Sequence, residues 1–217
     1  VPLVLPEGTR EVVLIFHGTG GVEEPTLLAL GDRFAEFTRD RPQTQVVYHR
    51  WSPFSDNMFR ASANADRLGV QVGEELADHA GLQRIHLIAT SAGSYLLEPL
   101  CRRYREASGA PARVEMTYLD PIGIRGAWDW GHGYRNHGDC ADYAEAYINT
   151  DDEVPGTNAA LRRAANIDVT SVPAREGFQG SGHLWPVRYY LDALSREQTR
   201  PGRRDHAQHA RGSVSLP

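Results

Sequence analysis

The chain has 217 residues and a formal charge of −5, and all 23 of its cationic side chains are arginine. The absence of lysine excludes a Schiff-base lysine, a phosphate loop ending in Gly-Lys-Ser/Thr and a serine–lysine dyad. The length fits one domain, the 41% hydrophobic fraction supplies a real core, and scattered arginines under an acidic balance argue against nucleic-acid binding.

The first predicted strand is Val12–Phe16, a continuous apolar run of the kind covered on both faces of a sheet. His17-Gly18-Thr19-Gly20-Gly21 follows it. Gly18-Thr19-Gly20 begins like a dinucleotide loop, but Glu23 stands where the third glycine belongs, so that fingerprint fails. A helix is expected over Leu27–Phe37 and a second strand over Thr44–Tyr48. Ala61, Ala65, Leu68, Val72 and Leu76 form one stripe of a long helix, in which Gly69 and Gly73 allow close approach to a sheet.

The third strand, Arg84–Ala89, runs into Ala89-Thr90-Ser91-Ala92-Gly93 and then a helix over Ser94–Tyr104 that carries Pro99. A serine in a sharp strand-to-helix turn projects its hydroxyl above the sheet and needs small residues two before and two after it. The alternative for Ser91 is a plain helix N-cap. Strand four is Val114–Leu119, and a loop with Trp128, Trp130 and Tyr134 occupies Ile124–Cys140, either lining a pocket or tucked back for burial. Further elements are strands Ala144–Asn149 and Ile167–Val172 and helices Thr157–Ala165 and Leu184–Leu194. Residues 197–217 read as a loose tail. Alternation of this kind implies an α/β fold, with a mainly parallel central sheet of about six strands and helices on both faces.

No apolar run reaches the roughly 18 residues of a membrane helix. The chain opens at Val1, which fits a removed leader and an extracytoplasmic location; otherwise the expectation is cytoplasmic. Cys101 and Cys140 either form one bridge, as suits an extracytoplasmic protein, or are buried free thiols.

Phe16-His17-Gly18, the segment RASANADRLGVQVGEELADHAG, RIHLIATSAGSYLLEPL, Tyr118-Leu119-Asp120-Pro121 and Gly182-His183-Leu184-Trp185-Pro186-Val187-Arg188-Tyr189-Tyr190 together resemble the pancreatic-type lipase and esterase family of the α/β-hydrolase superfamily. The resemblance spans Val12 to about Leu194, in the family's order of serine, aspartate and histidine. It implies a single catalytic domain over residues 1–196 and a serine ester hydrolase with Ser91 as nucleophile, His183 as base and Asp120 as acid. The Thr19 and Ala92 amides are the expected oxyanion donors.

Asp151, in a D-x-x-V-P pattern after the next strand, is the alternative acid; its other reading is a surface turn. Among the other histidines, His86 reads as a core or cover residue and His17 as a brace of the glycine loop. His206 and His209 read as exposed, lacking a third ligand for a metal site. No metal or cofactor is expected, and the expected partner is a small-molecule or lipid ester. Without a long amphipathic lid, short to medium acyl esters are favoured. A thioesterase, amidase, phospholipase or non-catalytic binding module on the same fold stays open.

Overall fold

Seven parallel strands make one sheet in the order β2-β1-β3-β4-β5-β6-β7. The computed structural model describes residues 2–21, 23–126, 128–196 and 205–217. The strands are β1 (Glu11–Phe16), β2 (Thr44–His49), β3 (Arg84–Ser91), β4 (Arg113–Pro121), β5 (Tyr143–Ile148), β6 (Ala165–Asp168) and β7 (Val214–Ser215). The helices are α1 (Pro25–Phe37), α2 (Met58–Ala77), α3 (Ser94–Ala107), α4 (His132–Asn136) and α5 (Trp185–Ser195). No helix among the described residues is long and apolar enough to cross a membrane.

The strands read as apolar runs because both faces of the sheet are covered. Leu14, Phe16, Leu87, Met116 and Tyr118 pack with α2 and α3 residues such as Val72, Leu76 and Leu96. Val13, Ile15, Ile88 and Leu119 face the other way, against Leu27, Leu30 and Phe34 of α1 and Trp185, Val187 and Tyr190 of α5. Gly69 and Gly73 serve a different contact from the one expected. A Cβ on Gly69 would lie 2.7 Å from Leu96 O and one on Gly73 2.5 Å from Leu100 O, so the glycines bring α2 against α3 rather than against the sheet. Pro99 is accommodated inside an uninterrupted α3.

Three segments depart from the sequence reading. The sixth strand lies at Ala165–Asp168, earlier than Ile167–Val172, because the Asp168 carboxylate accepts from Thr170 N at 3.0 Å and turns the chain. The helix expected over Thr157–Ala165 does not form. There the Asn166 side chain takes up Leu161 N (2.7 Å) and Leu161 O (2.9 Å), the polar groups a helix would have paired internally. Part of the expected tail lies outside the described residues, and the rest is structured. Arg211 donates to Gly138 O (2.6 Å) and Ala141 O (2.7 Å), and β7 pairs with β6. His206 is half-buried and accepts from Ala144 N at 3.2 Å rather than standing free in solvent.

Cys101 and Cys140 form a disulfide that ties α3 to the loop before β5. Glu98, one turn back on α3, accepts from Gly138 N at 2.7 Å and Cys140 N at 3.2 Å and holds the same loop.

Candidate active site

After β1 the chain moves to β2 on one side and then returns to β3 on the other. The carboxyl ends of β1 and β3 therefore flank the point where strand order reverses, the usual ligand crevice of an open parallel sheet. The segment His17–Gly21 and Ser91 both stand there.

Ser91 closes β3 with φ 51°, and Asp120, near the end of β4, has φ 50°. They are the only non-glycine residues with positive φ among those described. Side chains avoid this region unless the surroundings enforce it, and such residues concentrate where function needs them. The enforcement at Ser91 comes from its neighbours. A Cβ on Gly93 would lie 2.7 Å from His17 O and 2.9 Å from Phe16 O, so the turn packs directly on the end of β1. Ala89 is fully buried, as a small residue two before the serine requires. The register of β3 on β4 shifts between Thr90 and Ser91, which sets Ser91 opposite Pro121, the residue after Asp120. Ser94 Oγ donates to Ser91 O.

The glycine loop is braced from behind. His17 Nδ1 donates to Gly18 O at 2.8 Å, and its Nε2 accepts from Trp51 N at 3.2 Å. The Trp51 indole N–H donates to His17 O at 2.7 Å, and Tyr48 Oη donates to Gly21 O at 3.2 Å. Burial holds the His17 pKa below its ordinary value, against the opposing Gly18 hydrogen bond and Asp56 charge, so the neutral tautomer of this network is the stable one. Thr19 is exposed at the loop, while Ala92 is buried behind Ser91.

His183 stands in the short 3-10 turn Gly182–Leu184 that leads into α5. Its Nδ1 lies 2.9 Å from Asp120 Oδ2 and 2.8 Å from Asp152 Oδ2. The Asp120 and Asp152 side chains are 0% and 2% exposed, so both acceptors are held in the dry interior. Asp120 Oδ1 accepts from Asn149 N at 3.1 Å, and Asp152 Oδ2 accepts from Thr157 Oγ1 at 2.5 Å. His183 Nε2 is buried without a hydrogen-bond partner, so it and Ser91 Oγ are not bonded in this structure. Such bonds are often long without substrate and tighten when it binds.

Burial pushes the Asp120 carboxyl up to about 7, although the His183 hydrogen bond and charge work the other way. Burial also pushes Asp152 upward, but hydrogen bonds from Thr157 and Asp120 and the charge of His183 outweigh it and leave its pKa lowered. For His183 burial lowers the pKa, but the Asp120 hydrogen bond and the two carboxylate charges prevail and raise it above 6.5. These groups titrate as a coupled set.

Ser91, Asp120 and His183, singled out in the sequence, are thus gathered around the carboxyl ends of β3 and β4. Asp151 is not: it is exposed, and the carboxylate beside His183 is its neighbour, Asp152. Sequence alone does not single out Asp152, because nothing in two adjacent aspartates of an irregular loop tells which one faces inward. His86 is a buried residue away from this site, bonded through Nε2 to Thr117 Oγ1 at 2.9 Å, and burial pushes its pKa down to about 4.

The aromatic loop after β4 divides in two. Tyr134 packs back onto the core and lies over Gly123, whereas Trp128 is 95% exposed. At the start of this loop Arg125 pairs with Asp66 of α2, and both line a cavity of about 290 Å³ with Tyr95 and His132.

No family model and no curated protein matches the chain. Among solved structures it is similar to a presumed hydrolase of the alpha/beta superfamily from Xanthomonas campestris pv. campestris, at 13% identity and a TM-score of 0.49, covering 86% of this chain and 99% of that one. It is also similar to Aspergillus fumigatus lipase B, at 12% identity and a TM-score of 0.48, covering 86% of this chain and 52% of the lipase.

Proposed function

We propose that the protein is a serine hydrolase that cleaves carboxylic esters of short to medium acyl chains through an acyl-enzyme. The observation that carries this reading is the left-handed backbone of Ser91 (φ 51°) at the strand-to-helix turn. A helix N-cap needs no such conformation, whereas a nucleophile presented above a sheet does.

In this mechanism His183 Nε2 takes the Ser91 proton as Oγ bonds to the ester carbonyl carbon. Asp120 holds the Nδ1–H, so that the ring keeps the tautomer with a basic Nε2 and the imidazolium formed is stabilised. The Thr19 and Ala92 amides receive the oxyanion, and the partial positive charge at the start of α3 adds to them. Collapse of the tetrahedral centre breaks the bond to the alcohol oxygen, which takes the proton from His183. Water, deprotonated by the same ring, then releases the acid and frees Ser91.

The triad fixes acyl transfer and not the leaving group, so thioesters and amides are the related substrates to compare. A fluorophosphonate should label Ser91 and no residue in Ser91→Ala, and p-nitrophenyl esters should be cleaved with a preference for short or medium chains. A folded wild-type protein that takes no label and cleaves no ester would overturn the reading. Preference for long chains with activation at an oil interface would overturn its acyl-chain part.

A further inference from the structure

We infer that His183 is served by two acids, with Asp152 as a second positioning residue that shares the Nδ1 proton with Asp120. This deepens the hydrolase reading and rests on it. The geometry is direct: both carboxylates present an Oδ2 within hydrogen-bond distance of the same ring nitrogen, at 2.9 and 2.8 Å. Nδ1 carries one hydrogen, so the two oxygens compete for it, and loss of one leaves the other already in place.

The two acids come from different strand ends, and Asn149 binds those ends together. Its N–H donates to Asp120 Oδ1 at 3.1 Å, its carbonyl accepts from Asp152 N at 3.3 Å, and its side-chain amide donates to Gly182 O at 3.0 Å. One buried asparagine thereby holds the Asp120 carboxylate, the backbone of Asp152 and the turn that carries His183. Asp152 is not oriented by the histidine alone, since Thr157 Oγ1 bonds the same Oδ2 atom.

Two buried carboxylates this close do not both ionise freely, which accords with the elevated Asp120 and the lowered Asp152. The pair and the ring therefore titrate as one coupled set, with at least one carboxylate charge kept beside Nδ1. Among the described residues, charged or titratable groups near the set include Tyr134, close to Asp120, and Arg175, whose guanidinium lies near Gly182. Because a negative charge beside the ring favours imidazolium, removing Asp152 should lower the pKa of His183.

The test compares Asp120→Asn, Asp152→Asn and the double variant. Loss of the only acid of such a triad costs about 10⁴-fold in kcat. Each single variant should lose roughly tenfold to a hundredfold in kcat with KM nearly unchanged, and only the double variant should approach the full loss. Asp152→Asn should also move the acid limb of kcat/KM to lower pH. The low-field Nδ1 proton resonance of His183 gives a readout that does not depend on turnover: it should persist in each single variant and vanish in the double one. Asp152→Asn with wild-type rate and wild-type acid limb would overturn the inference. So would Asp120→Asn that alone loses both the resonance and as much activity as the double variant. If the wild type takes no fluorophosphonate label, the hydrolase reading fails separately, while the resonance still decides whether both carboxylates hold the ring.

Discussion

A Cβ placed on Gly18 would lie 2.7 Å from the Cβ of Ser91, so the main chain after β1 touches the serine that ends β3. The contact joins the two strands that flank the reversal of strand order. Gly18→Ala should therefore push Ser91 or the glycine loop out of place. The expected result is a loss of kcat of about 10²-fold or more, the scale of one lost oxyanion donor, with a small change in the unfolding midpoint. Fluorophosphonate labelling kinetics alongside thermal unfolding would check it.

Trp51 holds the other side of that loop. Its indole N–H bonds His17 O at 2.7 Å, and its backbone N–H bonds His17 Nε2 at 3.2 Å. Trp51→Phe keeps most of the ring but leaves a buried carbonyl without that donor, which costs about 1–3 kcal/mol. Denaturant unfolding should report a loss of this size, accompanied by reduced ester turnover.

The pH profile has a definite sign. His183 acts as a base only when Nε2 is unprotonated, and the neighbouring carboxylates raise its pKa above 6.5. Activity should be full at higher pH and fall as pH drops through that raised value. The acid limb of kcat/KM in the free enzyme is thus expected above 6.5. A limb at or below 6.5 would show that the carboxylates do not stabilise the imidazolium as described.

The disulfide stands apart from the chemistry. Cys101 and Cys140 are 39 residues apart in sequence, and closing a loop of that length stabilises a chain by about 4 kcal/mol in the loop-entropy account. The double Cys→Ser variant should unfold roughly 10 °C lower. Glu98 still binds Gly138 N and Cys140 N in that variant, so activity of the folded protein at moderate temperature should change little. Calorimetry with and without reductant would test both parts.

The local pattern of the chain carries the α/β order of elements and the strand-to-helix turn at Ser91, whereas Asp120 is preferred to Asp151 through the resemblance of its segment to a known family. Apolar runs, stripes at helical spacing and glycines around a strand-to-helix turn each express a short-range requirement of backbone and burial. The missing lysine narrowed the chemistry further by removing a serine–lysine dyad. Where side chains answer distant backbone groups, pattern is silent. Asn166 takes up the polar groups of Leu161 and cancels the helix expected at Thr157–Ala165, and Arg211 binds the chain near Gly138 and Ala141. The same limit hid Asp152. Two adjacent aspartates are equivalent in sequence, and the hydrogen bonds of Asn149 and Thr157 turned one of them inward to His183. Sequence determined which residue types stand at the ends of the strands; the packing of the end of β4, the loop after β5 and the turn before α5 around one imidazole decided which carboxylates reach it.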